Sequence, residues 1–390
     1  MAKLEDLIYK LCPNGVCYKK LGELIIQNPK SKVGAKKAEN FEKGDYPFYT
    51  SGKSVYYTNE FFVSGENIFV NDGGQADIKY YNGKAAYADH VISFKPMENV
   101  NGRFIYHYLM KCKDYINEKM FRGSGIKNIQ RKEFFDMLIP MPPLEIQCEI
   151  AHVLDDFTSL STELSAELIA RKKQFEYYKD ELYSFKNKNV KYVKLKEIAE
   201  IIRGGNFQKK DFVENGKPCI HYGQIYTRYG SSASSTLTYV NDEVFNKSKQ
   251  AQPNDIIMAV TSENVEDVCK CVVWCGNENV AVSGHTAIIH HNINGKYLGY
   301  YFSTSHFYKD KTKLVHGTKV MEVTPSTLND VLIPVPDVKE QERIANIIEN
   351  FDKLCNDINS GIPAEIEKRQ KQYEYYRDKL LSFKEVEVNE

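Results

Sequence analysis

A few small groupings of residues in this 390-residue chain have types and spacings that could carry chemistry. Gly52-Lys53-Ser54 has the ending of a phosphate loop, but the glycine such a loop needs five places earlier is Pro47, so the motif is incomplete. Asn71-Asp-Gly-Gly74 is a turn signal and lacks the Asn/Asp-Pro-Pro-aromatic order of amino-methyltransferases. Cys269, Cys271 and Cys275 lie near His285 and are zinc donors by type. Their spacing fits no common zinc pattern, and strand alternation sets Cys269 and Cys271 on one face, which favours core thiols. Glu263, Glu266 and Asp267 are acids of the kind a metal-dependent nuclease uses; a solvated loop is the simpler reading. Asp155 and Asp156 are adjacent on a helical pattern, where neighbours do not converge on one site. His290-His291 reads as incidental. Two glycine turns remain, Arg122-Gly-Ser-Gly-Ile-Lys127 and His316-Gly-Thr-Lys319.

The elements that position these turns occur twice, about 194 residues apart. Leu138-Ile-Pro140 returns as Leu332-Ile-Pro334, and each is followed by Gln-x-x-Ile-Ala, at Gln147 and Gln341. Tyr177-Tyr-Lys-Asp180 returns as Tyr375-Tyr-Arg-Asp378, and Val16 to Leu24 echoes Val190 to Ile198. Between these echoes, residues 26–120 and 200–315 share almost no sequence. One frame therefore carries two different inserts.

Zero net charge hides an alternation. Residues 1–140 hold 21 Lys and Arg against 16 Asp and Glu, whereas residues 141–186 hold 5 against 9, and the second half repeats the pattern. Mildly basic inserts suit a polyanion, and acidic tails suit protein partners. The chain has no apolar run long enough to span a membrane and no apolar leader at its start, and its nine cysteines have no regular spacing. A reducing, cytoplasmic location is the expectation.

Each tail reads as a long helix with one apolar seam. In the first, Ile146, Ile150, Val153, Phe157, Leu160, Leu164 and Leu168, then Phe175, Tyr178, Leu182 and Phe185, recur mostly in steps of three and four; the second repeats the seam with Ile344, Ile348, Phe351, Leu354 and Ile358, then Ile366, Tyr373, Tyr376, Leu380 and Phe383. Pro142 and Pro143 suit the start of the first helix. Gly361 and Pro363 predict a break in the second copy only. Two such seams pair most economically with each other, antiparallel. The inserts read as mixed α/β, with strands at Asn67–Asn71, Ile78–Tyr81, His90–Phe94, Asp255–Val260, Cys271–Trp274, Val280–Val282 and Thr286–Ile289 and a helix near Phe104 and near Tyr297. The expected fold is α+β: two mixed α/β globular domains joined by two long helices paired as an antiparallel coiled coil, in a pseudo-twofold circular arrangement. The boundaries are 1–142, 143–186, 187–336 and 337–390.

On the duplicated Leu-Ile-Pro, Gln-x-x-Ile-Ala and Tyr-Tyr-(Lys/Arg)-Asp motifs, and the glycine turns before each Ile-Pro, the whole chain resembles the DNA-specificity subunit of type I restriction–modification enzymes. No single motif is specific; their duplicated order is. The resemblance implies two target-recognition domains, each reading half of a split, asymmetric duplex-DNA target, and helical spacers whose length sets the half-site separation. It implies two methyltransferase (modification) subunits as partners, with restriction (helicase-nuclease) subunits beside them. The chain itself would be non-catalytic and hold no cofactor; S-adenosylmethionine, ATP and Mg belong to the partners. Small residues let backbone approach phosphate and Lys or Arg adds charge, so Arg122, Ser124, Lys127 and Asn128, with His316, Thr318 and Lys319, are the first DNA-contact candidates. Polar side chains able to read base edges add Lys53, Asn71, Tyr80 and Tyr81 in the first insert, and Arg203, Gln208, Lys209, Gln224, Tyr226 and Arg228 in the second. The competing readings are a stand-alone coiled-coil adaptor and a metal-dependent nuclease using the Glu263–Asp267 acids.

Overall fold

The computed structural model describes residues 2–38, 44–52, 54–185, 189–357 and 359–386. Two compact units result, one of residues 1–165 with 365–390 and one of residues 166–364. The long helices pass from one unit into the other, so each unit contains parts of both tails.

Each unit begins by closing its frame. Cys17–Lys20 pairs antiparallel with Leu138–Met141, and Lys191–Lys194 pairs with Leu332–Val335 in the same register. A salt bridge of 2.9 Å fastens each ladder, Lys20 to Asp136 and Lys194 to Asp330. Ile139 and Ile333, the middle residues of the Leu-Ile-Pro repeat, are fully buried.

The dissimilar inserts fold on one plan. In unit 1 a sheet runs Ile25–Gln27, Val91–Pro96, Glu66–Asn71, Ile78–Asn82. In unit 2 the order is Ala199–Arg203, Thr286–His291, Ile256–Ala259, Cys271–Trp274, with Ser232–Ala233 added at the edge. A second sheet backs each. Tyr46–Tyr49 runs parallel to Ala86–Tyr87 in unit 1, and Lys217–Ile220 runs parallel to Val280–Val282 in unit 2. Apolar character at the right pleat positions, rather than residue identity, fixes this register. Ile68, Val70, Ile92 and Phe94 fill the first core; Ile256, Met258, Ala287 and Ile289 fill the second.

A helix crosses each main sheet, Gly102–Lys111 and Gly295–Tyr301. Its start is fixed the same way in both units. Asn101 and Asn294 are N-caps, each accepting a 2.9 Å bond from the third helical N–H, of Phe104 or Tyr297. Their own N–H groups donate to the side-chain oxygens of Gln147 (3.0 Å) and Gln341 (3.1 Å). The same glutamines donate from Nε2 to the carbonyls of Pro142 and Pro336 at 2.8 Å. Both glutamines are buried. The repeated Gln-x-x-Ile-Ala motif is thus a clamp holding sheet-crossing helix, shared strand and spacer helix together. An ion pair reinforces it, Arg103 to Asp155 (2.9 Å) and Lys296 to Glu349 (2.8 Å).

The first spacer is one uninterrupted helix, Leu144–Leu182; the second stops at Asn356 and resumes as Ile362–Leu380, so the break falls at the Gly361–Pro363 signal. A Cβ on Gly361 would lie 2.5 Å from the Lys353 carbonyl oxygen, which a side chain forbids. The seams pair antiparallel within each unit. In unit 1 Phe157 stacks on Tyr376 at 5.3 Å, and Ile150 shares a core with Leu380. In unit 2 Phe351 meets Phe175 at 6.4 Å and Tyr178 at 6.2 Å, while Ile344 and Leu182 join the core. Leu164 is half-buried. Ile358 lies outside the described residues.

Replacing Gln147 by Leu leaves the Pro142 carbonyl and the Asn101 N–H without partners in a buried site. The expected loss is about 2–4 kcal/mol in denaturant unfolding of unit 1. Gln341→Leu is expected to act alike in unit 2, and a change within about 0.5 kcal/mol in either would show that the clamp is dispensable.

Candidate nucleic-acid interface

At one end of each main sheet, three loops are tied by matching backbone hydrogen bonds. In unit 1 the N–H of Asp72, just past the central strand, donates to the carbonyl of His90 (2.8 Å), and the N–H of Ile129 donates to the carbonyl of Asp72 (2.9 Å). In unit 2 the N–H of Val260 donates to His285 (2.9 Å), and that of Val323 to Val260 (2.9 Å). The loop before the last central strand, the loop after the middle strand and the glycine turn therefore form one rim in both units.

The glycine turns are tight hairpins. Phe121–Arg122 pairs with Asn128–Ile129 in unit 1, and Met321–Glu322 pairs with Thr261–Ser262 in unit 2, with His316 bridged to Glu322. Gly317 has φ +105°, and a Cβ there would lie 2.0 Å from the Val320 carbonyl oxygen, so the turn excludes any other residue. Gly123 holds the matching place, with φ +152° and its Cβ position 2.8 Å from the Ile126 carbonyl oxygen.

The expected contact residues divide sharply. Ser124, Lys127, Asn128, Thr318 and Lys319 are exposed on the turns, and His316 is exposed at the turn entrance. Lys127 and Lys319 form no ion pair among the described residues. Arg122 is already held by both oxygens of Glu133 at 2.9 Å, and Arg203 reaches Glu322 at 3.6 Å. Arg203 therefore stands at the foot of the second turn with its charge partly met.

Several candidates serve the fold instead. Asn71 is buried, donating to the Gly73 and Gln75 carbonyls and accepting from the Asp77 N–H, so its amide has no free edge for a base. Tyr80 donates to Glu66 at 2.6 Å beneath the Arg103 guanidinium, and Tyr81 packs into the second layer beside Tyr49. Burial pushes the Tyr80 phenol up from its ordinary value. Neighbours on a strand face opposite sides of the sheet, and both rings are half-buried by the packing on their own side. Tyr226 donates to the Thr261 carbonyl at 2.7 Å behind the second rim. Lys53 lies outside the described residues.

Gln208, Lys209, Gln224 and Arg228 gather around His221, lining two adjoining open clefts of unit 2. Lys209 and Arg228 are exposed and form no ion pair among the described residues. Gln224 is occupied, accepting from the His221 N–H (3.0 Å) and donating to Thr238 (3.2 Å). Burial, with the Lys209 charge next, holds the His221 imidazole below its usual value, and its Nδ1 accepts from the Gly223 N–H at 3.2 Å. His285 lines the same cleft and carries φ +63°, a strained conformation of the kind that gathers at functional sites.

His90 and His285, one per rim, are not among the DNA-contact residues expected from the sequence. The available signal was a histidine one residue before a buried strand in both inserts, 195 residues apart. Burial pushes the Cys269 and Cys271 thiols up to about 12, and Asp267 is tied to Asn264 at 2.9 Å. Among the described residues no three His, Cys, Asp or Glu side chains come together as a metal cradle, and no helix is long and apolar enough to cross a membrane.

The family model described as the type I restriction modification DNA specificity domain matches this chain twice, over residues 13–172 and 187–368. The chain belongs to that family. This specificity subunit is 31% identical over 387 residues to the type I restriction enzyme EcoR124I/EcoR124II specificity subunit of Escherichia coli, covering 94% of both chains. It is 28% identical to a putative type I specificity subunit of Haemophilus influenzae, covering 92% of this chain and 93% of the relative. Its fold matches the crystal structure of the type I system S subunit from M. genitalium with a TM-score of 0.61 at 14% identity, over 94% of this chain and 96% of that one. The protein is a DNA sequence-recognition subunit of a restriction–modification system.

Gly317→Ala is expected to cost about 1–3 kcal/mol of stability, from a strained φ and a backbone collision. The loss should register in thermal unfolding of the specificity subunit, while Gly230→Ala, with open space around it, serves as the neutral control.

Proposed function

We propose that each unit reads one half of a split, asymmetric duplex through its three-loop rim. Lys127 and Lys319 contact phosphate from the glycine turns, and Ser124, Asn128, Thr318 and His316 stand beside them. In unit 2 Lys209 and Arg228 extend the cationic surface along the His221 clefts. The observation that carries this reading is the rim itself: one backbone arrangement built twice, presenting different side chains each time. Two unlike readers of one make are what an asymmetric target requires.

The modification subunits dock on the repeated surfaces. Leu138 and Leu332 are about half exposed, and Tyr177 and Tyr375 are each 62% exposed, although all four belong to the shared frame. Identical exposed apolar positions suit two copies of one partner. S-adenosylmethionine, ATP and Mg are assigned to the modification and restriction subunits, and the assembly to the cytoplasm, where nine free thiols persist.

Base-resolution methylation mapping in cells with and without the gene tests the reading. A two-part asymmetric consensus that vanishes with the gene is expected; an unchanged methylation map would refute it. In the assembled complex, Lys127→Ala and Lys319→Ala are each expected to lower the slope of log K against log salt by about 1. Arg122→Ala should change it far less, because Glu133 already meets that charge. Equal slopes for all three variants would remove the lysines from the phosphate contacts.

A further inference from the structure

Both glycine turns hold an aliphatic side chain out into solvent. Ile126 is 79% exposed and Val320 56%. They occupy the same place in the hairpin: each is three residues after the positive-φ glycine, and each offers the carbonyl that closes against it. The backbone around them is pinned. Gly74 donates to the Lys127 carbonyl at 2.8 Å in unit 1, and His316 and Glu322 exchange two bonds of 3.0 and 2.8 Å in unit 2. The tips therefore have no inward position to collapse into.

No feature of the fold asks for an aliphatic residue here, and the two inserts otherwise share little sequence, yet the chain presents one at both tips. Each is flanked by a lysine that forms no ion pair among the described residues, Lys127 after Ile126 and Lys319 before Val320. A cation beside an apolar point is the pattern of elements that enter a DNA groove, the charge meeting phosphate and the apolar group meeting a thymine methyl or an opened base step.

We propose that Ile126 and Val320 are apolar probes pressed into the groove of duplex DNA, each against bases of its own half-target. The inference rests on the DNA-reading role of the rims and adds the residues that discriminate sequence there.

The test uses the specificity subunit assembled with its modification subunits and the variants I126S and V320S. Affinity is measured by fluorescence anisotropy at two salt concentrations, on duplexes carrying the mapped target and on scrambled duplexes. Each variant is expected to weaken target binding by about 10-fold or more, leaving scrambled-DNA affinity and the salt slope unchanged, since an apolar contact releases no counterions. I126S should relax base preference in one half-site and V320S in the other. 2-Aminopurine at the contacted step separates the two contact modes: brightening with the parent complex that is lost in the variant marks an opened step, and no brightening marks a groove contact. An unchanged ratio of target to scrambled affinity in both variants would overturn the proposal, as would loss of complex assembly with DNA affinity intact, which would assign the tips to a protein partner. If the parent complex itself shows no preference for the target, the DNA-reading role fails, an outcome distinct from failure of the probes alone.

Discussion

A buried glutamine at the start of each spacer helix is the constraint from which the rest of each unit hangs. Gln147 and Gln341 each satisfy a carbonyl of the shared strand's exit and an N–H at the cap of the sheet-crossing helix. One side chain thereby fixes three elements, in surroundings where an unpaired polar group is costly. The spacer helix cannot rotate without breaking those bonds, so the seam of Phe157 against Tyr376, or Phe351 against Tyr178, is set by the same residue that sets the sheet-crossing helix. That helix packs on the sheet, and the sheet's far loops form the rim. The clamp is the same in both units, whereas the loops that it holds carry different side chains.

The frame was legible in the sequence because repetition marks it. Leu138-Ile-Pro140 and Leu332-Ile-Pro334 announced matching strands, and the step of the apolar seam announced the helices, with Gly361 and Pro363 marking the one interruption. The inserts were legible only in part. Strands built on buried β-branched runs, such as Val280–Val282 and Cys271–Trp274, fell where expected. A strand expected at Cys219–Tyr222 from its apolar run ends instead at Ile220, because His221 caps the short helix Tyr222–Thr227. The shared topology of the two inserts left no trace in residue identity. It resides in strand order and in which pleat positions are apolar, and many different side chains satisfy both.

The rim was harder to read for a related reason. Polar and aromatic residues that can touch DNA are also residues that close turns and cap cores, and only coordinates separate the two uses. Asn71, Tyr80, Gln224 and Tyr226 spend their hydrogen bonds inside the fold, and Arg122 is met by Glu133. Lys127 and Lys319 are exposed and form no ion pair among the described residues. The matching places of His90 and His285 carry no signal in the sequence, because single histidines in unlike contexts match only once the strands around them are aligned.

The central claim is that a constant clamp carries an exchangeable reader. The most direct measurement is methylation mapping of a chimera in which residues 25–135, the span between the two strands of the unit-1 frame, come from another specificity subunit while Gln147 and the spacers stay unchanged. A methylated target altered in one half and preserved in the other is the result expected. A folded, assembled chimera whose target changes in both halves, or in neither, would contradict the account.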